Sequence, residues 1–163
     1  MKKVLLLAAV VAAVWALTLA SESQKDVGDL IPIQTLMVTR QNGQLEVRGD
    51  GDLLGCGETW DAAMKNLEQT ASGEAFFGST EHVVFDRNAI SFLPDAMSDQ
   101  RLRPAARLYL CSGSVDPDEA TAYLDAHPGG KTIQKLTADV LEGKSIQLPV
   151  LKSDEGRLQL YDV

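Results

Sequence analysis

Histidine and cysteine are scarce in this 163-residue chain, which has two of each: His82 and His127, Cys56 and Cys111. The cysteines stand far apart with no Cys-x-x-Cys spacing. A zinc site or a Cys/His nucleophile pair would have to draw on nearly all four residues, and no local signature supports either. Basic residues are also few, 15 against 23 acidic, for a formal charge of -8. No Lys/Arg stripe offsets that charge, so electrostatic binding to a nucleic-acid backbone is excluded. Charge-driven disorder is excluded too, because 45% of the residues are hydrophobic. The chain has no internal repeat and no low-complexity linker, and its length fits one domain with or without a tail.

What is present begins with a segment unlike the rest. Lys2 and Lys3 precede an uncharged apolar run from Val4 to Ala20, and Ser21 and Glu22 then restore polar composition. This pattern reads as an export signal over residues 1–20. The run is short for a spanning helix, and Thr18 and Ala20 carry small side chains at signal-peptidase spacing, which favours cleavage after Ala20 over a retained anchor. Either way, residues 21–163 form one domain placed outside the cytoplasm, because Lys2 and Lys3 hold the N-terminus inside. Cleavage leaves 13 basic and 23 acidic residues, a net -10. In that compartment Cys56 and Cys111 are a candidate disulfide, with two small core hydrophobes as the equal alternative.

The remaining chemical motifs fail on particular residues. Asp50-Gly51-Asp52 opens like a calcium loop, but Leu54 stands where the next oxygen ligand belongs and no bidentate glutamate closes it. Gly49 to Gly57 lacks the Gly-Lys-Ser/Thr ending of a phosphate loop and reads as a flexible turn feeding a helix. His82 lies within an apolar strand region and His127 at a helix end, positions typical of core or capping histidines. No catalytic, cofactor-binding or metal residue is assigned, and no cofactor is expected.

Periodicity gives an α+β reading: a small mixed sheet with three to four packed helices. Leu30, Ile33, Leu36 and Val38 form a strand-like run that turns at Asn42-Gly43 into a return strand with Leu45 and Val47. Behind a Thr59 cap, Trp60, Ala63, Met64, Leu67 and Ala71 recur at helical spacing. Ala75 to Phe77 and Val83 to Phe85 read as buried strand, and Ala89 to Ser98 as two short helical pieces divided near Pro94. Arg107 to Cys111 is a strand. Asp116-Pro117 caps a helix whose face carries Ala120, Tyr123, Leu124 and His127. A further helix turns Ile133, Leu136, Val140 and Leu141 inward and stops at Gly143. Ile146, Leu148 and Val150 alternate along an edge strand marked by Pro149, and Asp154-Glu155-Gly156 turns the chain into Leu158 and Leu160.

The order of these segments carries a family likeness. Lys25-Asp26, the strand Leu30 to Val38, Asn42-Gly43, and Gly57-Glu58-Thr59 opening a helix with Ala62 and Leu67 resemble the N-terminal domain of Ger(x)C proteins, the C subunits of spore germinant receptors. The likeness continues through Phe77-Gly78 to His82, Asp99 and Arg103 before the strand Leu108 to Cys111, Gly113 before the helix Asp118 to Leu124, and Leu148-Pro149 within Gly143 to Leu151. It covers about residues 25–151. Four features depart from the family: Ser21 replaces the lipid-bearing cysteine, the family's later domains have no counterpart before Val163, Val38-Thr39-Arg40 replaces Gly-Ile-Asp, and Ser98 replaces an arginine.

The resemblance implies a non-enzymatic, exported accessory protein of spore germination. Such a subunit contacts integral membrane germinant receptor subunits at the inner spore membrane. With no lipid-bearing cysteine, its own N-terminal segment would hold it at the membrane if uncleaved. The alternative is a secreted small-molecule-binding or hydrolytic domain that uses Cys56, Cys111, His82 or His127.

Overall fold

The structure is a computed structural model and describes residues 29–113, 115–154 and 157–161. The expected export signal lies outside the described residues. Among the described residues there are ten strands: β1 (Leu30–Pro32), β2 (Thr35–Gln41), β3 (Gln44–Gly49), β4 (Leu54–Gly57), β5 (Glu74–Phe76), β6 (His82–Asp86), β7 (Arg107–Ser112), β8 (Lys131–Thr132), β9 (Val150–Asp154) and β10 (Arg157–Tyr161). Four α-helices accompany them among these residues: α1 (Trp60–Thr70), α2 (Leu93–Ser98), α3 (Pro117–Ala126) and α4 (Ile133–Leu141). The main sheet runs β10-β9-β7-β6-β2-β3-β4, with β8 paired to β7 beside this path, and β1 pairs β5 separately. Strands β2, β6, β7 and β9 are parallel, and antiparallel partners flank them on both sides. This is the expected α+β class with a mixed sheet.

Helices lie on both sheet faces, and that explains the strand sequences. On one face Leu36, Val38, Val83, Phe85 and Leu108 join Trp60, Ala63, Met64 and Leu67 of α1, Leu93 and Ala96 of α2, and Ile133 and Leu136 of α4. On the other, Met37, Val84, Tyr109, Cys111 and Leu151 pack with Ala120 and Leu124 of α3. Central strands buried on both sides read as continuous apolar runs, as in His82-Val83-Val84-Phe85. Strand β3, covered on one side, alternates buried Leu45 and Val47 with more exposed neighbours. The β2–β3 turn places Asn42 and Gly43 at φ of 51° and 84°, which suits this dipeptide. The Thr59 side chain accepts from Ala62 N to cap α1, and Asp116 accepts from Asp118 N and Glu119 N to cap α3.

Several expected boundaries are corrected. The run from Leu30 to Val38 divides, so that β1 pairs β5 and β2 enters the main sheet. Part of the expected flexible turn, Leu54–Gly57, is strand β4, which pairs β3 and lies against α1. A Cβ at Gly55 would stand 2.2 Å from Ala63 O, and one at Gly57 would stand 2.5 Å from Ala63 N. These glycines let a helix backbone lie directly on a strand backbone. Val140 and Leu141 do not turn inward: they are 45% and 83% exposed, while Asp139, at 2%, takes the buried position. Ile146 is not in a strand, and β9 is no edge, because it sits between β7 and β10. Pro149 precedes β9, and its carbonyl accepts from Leu110 N.

Candidate functional site

The four residues singled out by their chemistry are dispersed. Cys56 lies on β4 and Cys111 on β7, with β3, β2 and β6 between them. Adjacent strands are about 4.8 Å apart, so the two positions are far beyond the roughly 7 Å that a disulfide spans. Both are free thiols, and the candidate disulfide is not formed. Cys111 is buried and donates to Gly113 O at 3.0 Å. Burial, reinforced by the Asp86 carboxylate, pushes its pKa up to about 11. That thiol stays protonated near neutrality and is a poor nucleophile. His127 ends α3 with its ring stacked on Tyr123, centroids 4.4 Å apart, and its Nδ1 3.0 Å from Tyr123 O.

His82 stands in a polar cluster where β6 and β7 begin. It is 1% exposed, and its Nε2 is 3.0 Å from Asp125 Oδ1 near the end of α3. Its Nδ1 has no hydrogen-bond partner among the described residues. Arg107 is its partner in the β6–β7 register, and the Tyr109 ring packs beside it at 5.7 Å. The Tyr109 hydroxyl donates to Gly129 O at 2.8 Å, and burial raises its pKa above the ordinary phenol value. Ligand atoms of Glu81, His82 and Asp125 all lie within 4.8 Å of one another, a spacing that a divalent cation could bridge. Glu81, however, already binds the Arg103 guanidinium at 3.1 Å, and a cation would have to compete with that pair. As it stands, the cluster fastens α3 to the sheet through the contact between the buried His82 ring and Asp125.

A second polar cluster joins α1 to the end of α2. Asp99 is 7% exposed in its side chain and accepts from Trp60 Nε1 at 2.6 Å. It also binds Arg101, with Nη2 2.8 Å from Oδ2, and Arg101 reaches Asp61 at 3.4 Å and Glu68 at 3.5 Å. Burial pushes the Asp99 carboxyl up, but the hydrogen bonds from Arg101 and Trp60 outweigh it and hold the pKa below the usual range. Beside this cluster lies an open depression of about 480 Å³, bordered by Trp60, Phe92, Asp61, Asp95 and Asp99. Arg101 also borders it and already pairs with Asp61 and Asp99. Helical periodicity puts Trp60 in a core, and Asp99 stands out in the sequence only through the family likeness. The bond between them leaves no periodic signal.

Two other features have structural roles. Asp50, from the rejected calcium-like run, accepts from Gln34 N, from Thr35 N at 3.1 Å and from Thr121 Oγ1 at 3.1 Å, tying the loop to β2 and α3. At the carboxyl ends of β2, β6 and β7 a crevice of about 80 Å³ is lined by Thr39, Gln41, Asp86 and Cys111. That volume is far below the several hundred Å³ of ordinary ligand pockets. No family model matches this chain, and no curated protein or solved structure does either.

Proposed function

We propose that this protein is a non-enzymatic, extracytoplasmic accessory protein of spore germination. In this reading it resembles the C subunit of a nutrient germinant receptor and acts by contact with integral membrane receptor subunits. What supports the reading is where the residues of the likeness fall. Asn42-Gly43 makes the tight β2–β3 turn, Gly57 yields space to α1, and Thr59 caps that helix. Phe77-Gly78 starts the short 3-10 turn before β6, Asp99 bonds Trp60, and Leu148-Pro149 leads into β9. Each is a joint at which the fold constrains residue type, so their shared order is an argument for a common domain rather than a common composition.

The test is genetic. In a spore-former carrying this gene, deletion should alter nutrient-triggered germination and leave spore formation intact. Cys56→Ser, Cys111→Ser, His82→Gln and His127→Gln should act only through stability. Normal germination in the deletion strain, or a hydrolytic activity lost in one of these four variants while the fold is kept, overturns the reading. Because Ser21 stands where the lipid-bearing cysteine would be, labelling with a radioactive fatty acid should leave the protein blank.

A further inference from the structure

The polar cluster at the start of β6 joins one fixed nitrogen to two adjustable carboxylates. Its backbone is held from both sides: Glu81 N and His82 N donate to Gln34 O at 2.7 and 3.1 Å, and Arg107 N donates to Glu81 O at 2.8 Å. The His82 ring is 1% exposed, so it cannot swing into solvent. Its Nε2 lies 3.0 Å from Asp125 Oδ1, while Nδ1 has no partner among the described residues. A histidine kept only for packing or for a core hydrogen-bond network satisfies both nitrogens. Here the one engaged nitrogen is aimed at the acids, and imidazole with carboxylates is a ligand set for a transition metal.

The distances and charges decide whether an ion fits. Ligand atoms of Glu81, His82 and Asp125 all lie within 4.8 Å of one another. Zinc at about 2.1 Å from each donor holds the donors roughly 3.4 Å apart. The side chains of Asp125 and Glu81 are 52% and 43% exposed, free to close that gap around the immobile ring. Asp125 also stands in the last turn of α3, whose carbonyl end carries partial negative charge and has no basic residue in that turn. Against the ion stands the pair of Glu81 with Arg103. Both partners are well exposed, and such a pair shifts an equilibrium by about fivefold at most. Arg107 beside the ring also reduces the attraction, which sets the expected affinity at micromolar rather than nanomolar.

We propose that Glu81, His82 and Asp125 form a zinc site, with His82 Nε2 and one oxygen of each carboxylate on the ion and water in the fourth position. The ion clamps the start of β6 to the end of α3, where the His82–Asp125 contact already joins them. A clamp of this kind acts on the stability of the fold. The proposal goes beyond the germination role and does not rest on it.

Calorimetric titration of the metal-free full chain, in detergent, with zinc chloride tests the site. One equivalent should bind with a dissociation constant of about 10 μM or tighter, and the melting temperature should rise with it. Glu81→Gln and Asp125→Asn should each weaken binding by about tenfold or more. Arg103→Gln should tighten it by about threefold, because it frees Glu81 from its competitor. Since His82→Gln removes a buried ring and can unfold the chain, these three variants at half-exposed positions carry the decision. No binding at millimolar zinc overturns the proposal. So does one equivalent held equally by the parent and both carboxylate variants, which places the ion at other groups such as Cys56 or His127. Unchanged affinity in Arg103→Gln removes Glu81 from the ligand set and defeats the three-residue site.

Discussion

The indole N–H of Trp60 donates to Asp99 Oδ2 at 2.6 Å across 39 positions of sequence, and the same carboxylate holds Arg101. One acid thereby satisfies a buried aromatic donor from α1 and a guanidinium that reaches Asp61 and Glu68 of that helix. Removing it strands the indole donor and leaves Arg101 only its longer contacts to Asp61 and Glu68. Asp99→Ala should destabilise the fold by about 3 kcal/mol, as expected when one partner of a largely buried charged pair is lost. Urea denaturation followed by tryptophan fluorescence would measure this, and an unchanged midpoint would show that the pair is dispensable.

Helix α1 packs on β4 with no side chain between them at two points. Gly55→Ala places a methyl group 2.2 Å from Ala63 O, a backbone atom that cannot rotate away, and should cost about 2 kcal/mol or more through displacement of the helix. Leu67→Ala, on the fully buried stripe of the same helix, should cost about 2 to 5 kcal/mol. Thermal melts of the two variants against the parent would check both values. A parent-like melt for Gly55→Ala would mean that the close approach is relaxed in solution.

The thiols should separate by burial. Cys56 is partly exposed at the edge strand, whereas Cys111 is buried with its pKa pushed up to about 11. A disulfide reagent at mild alkaline pH should titrate one thiol quickly and the second only after denaturant is added. Two fast thiols would contradict the packing of β7 beneath α3.

Asp139 provides an acid-sensitive contribution. Hydrogen bonds from Lys131 and Lys135 lower its pKa from 3.8 to about 2. The folded pKa is depressed, so the stabilisation is complete above the unfolded value and fades as pH falls through the folded one. The stability difference between the parent and Asp139→Asn should therefore be constant above pH 3.8 and shrink as pH falls towards 2. Denaturant midpoints at several acidic pH values would reveal it. A difference that does not depend on pH would show that the lysines are not engaged.

The elements that local sequence controls were legible in advance. The Asn42-Gly43 hairpin, the Thr59 and Asp116 caps and the apolar stripe Trp60, Ala63, Met64 and Leu67 each depend on residues within a few positions of one another. Turn preference and helical periodicity act at that range. Strand β4 was not legible, because its glycines look like a turn until a helix is laid across them, and only tertiary packing supplies the helix. The inward reading of Val140 and Leu141 failed for a related reason. Periodicity identifies an apolar stripe, but the lysines that gather on Asp139 decide which side of α4 is buried, and Lys131 and Lys144 lie outside the helix.

The polar clusters belong entirely to the tertiary structure. His82 meets Asp125 across 43 positions and Trp60 meets Asp99 across 39. No spacing rule connects such pairs, because their distance in space is set by how strands β6 and β7 and the helices beside them stack. Sequence alone therefore determined the acidic composition and the α+β class. Which carboxylate serves which buried donor, which thiol is silenced and which aliphatics remain in solvent were decided by long-range packing, since burial and pairing are properties of neighbours that the chain brings together only when it folds.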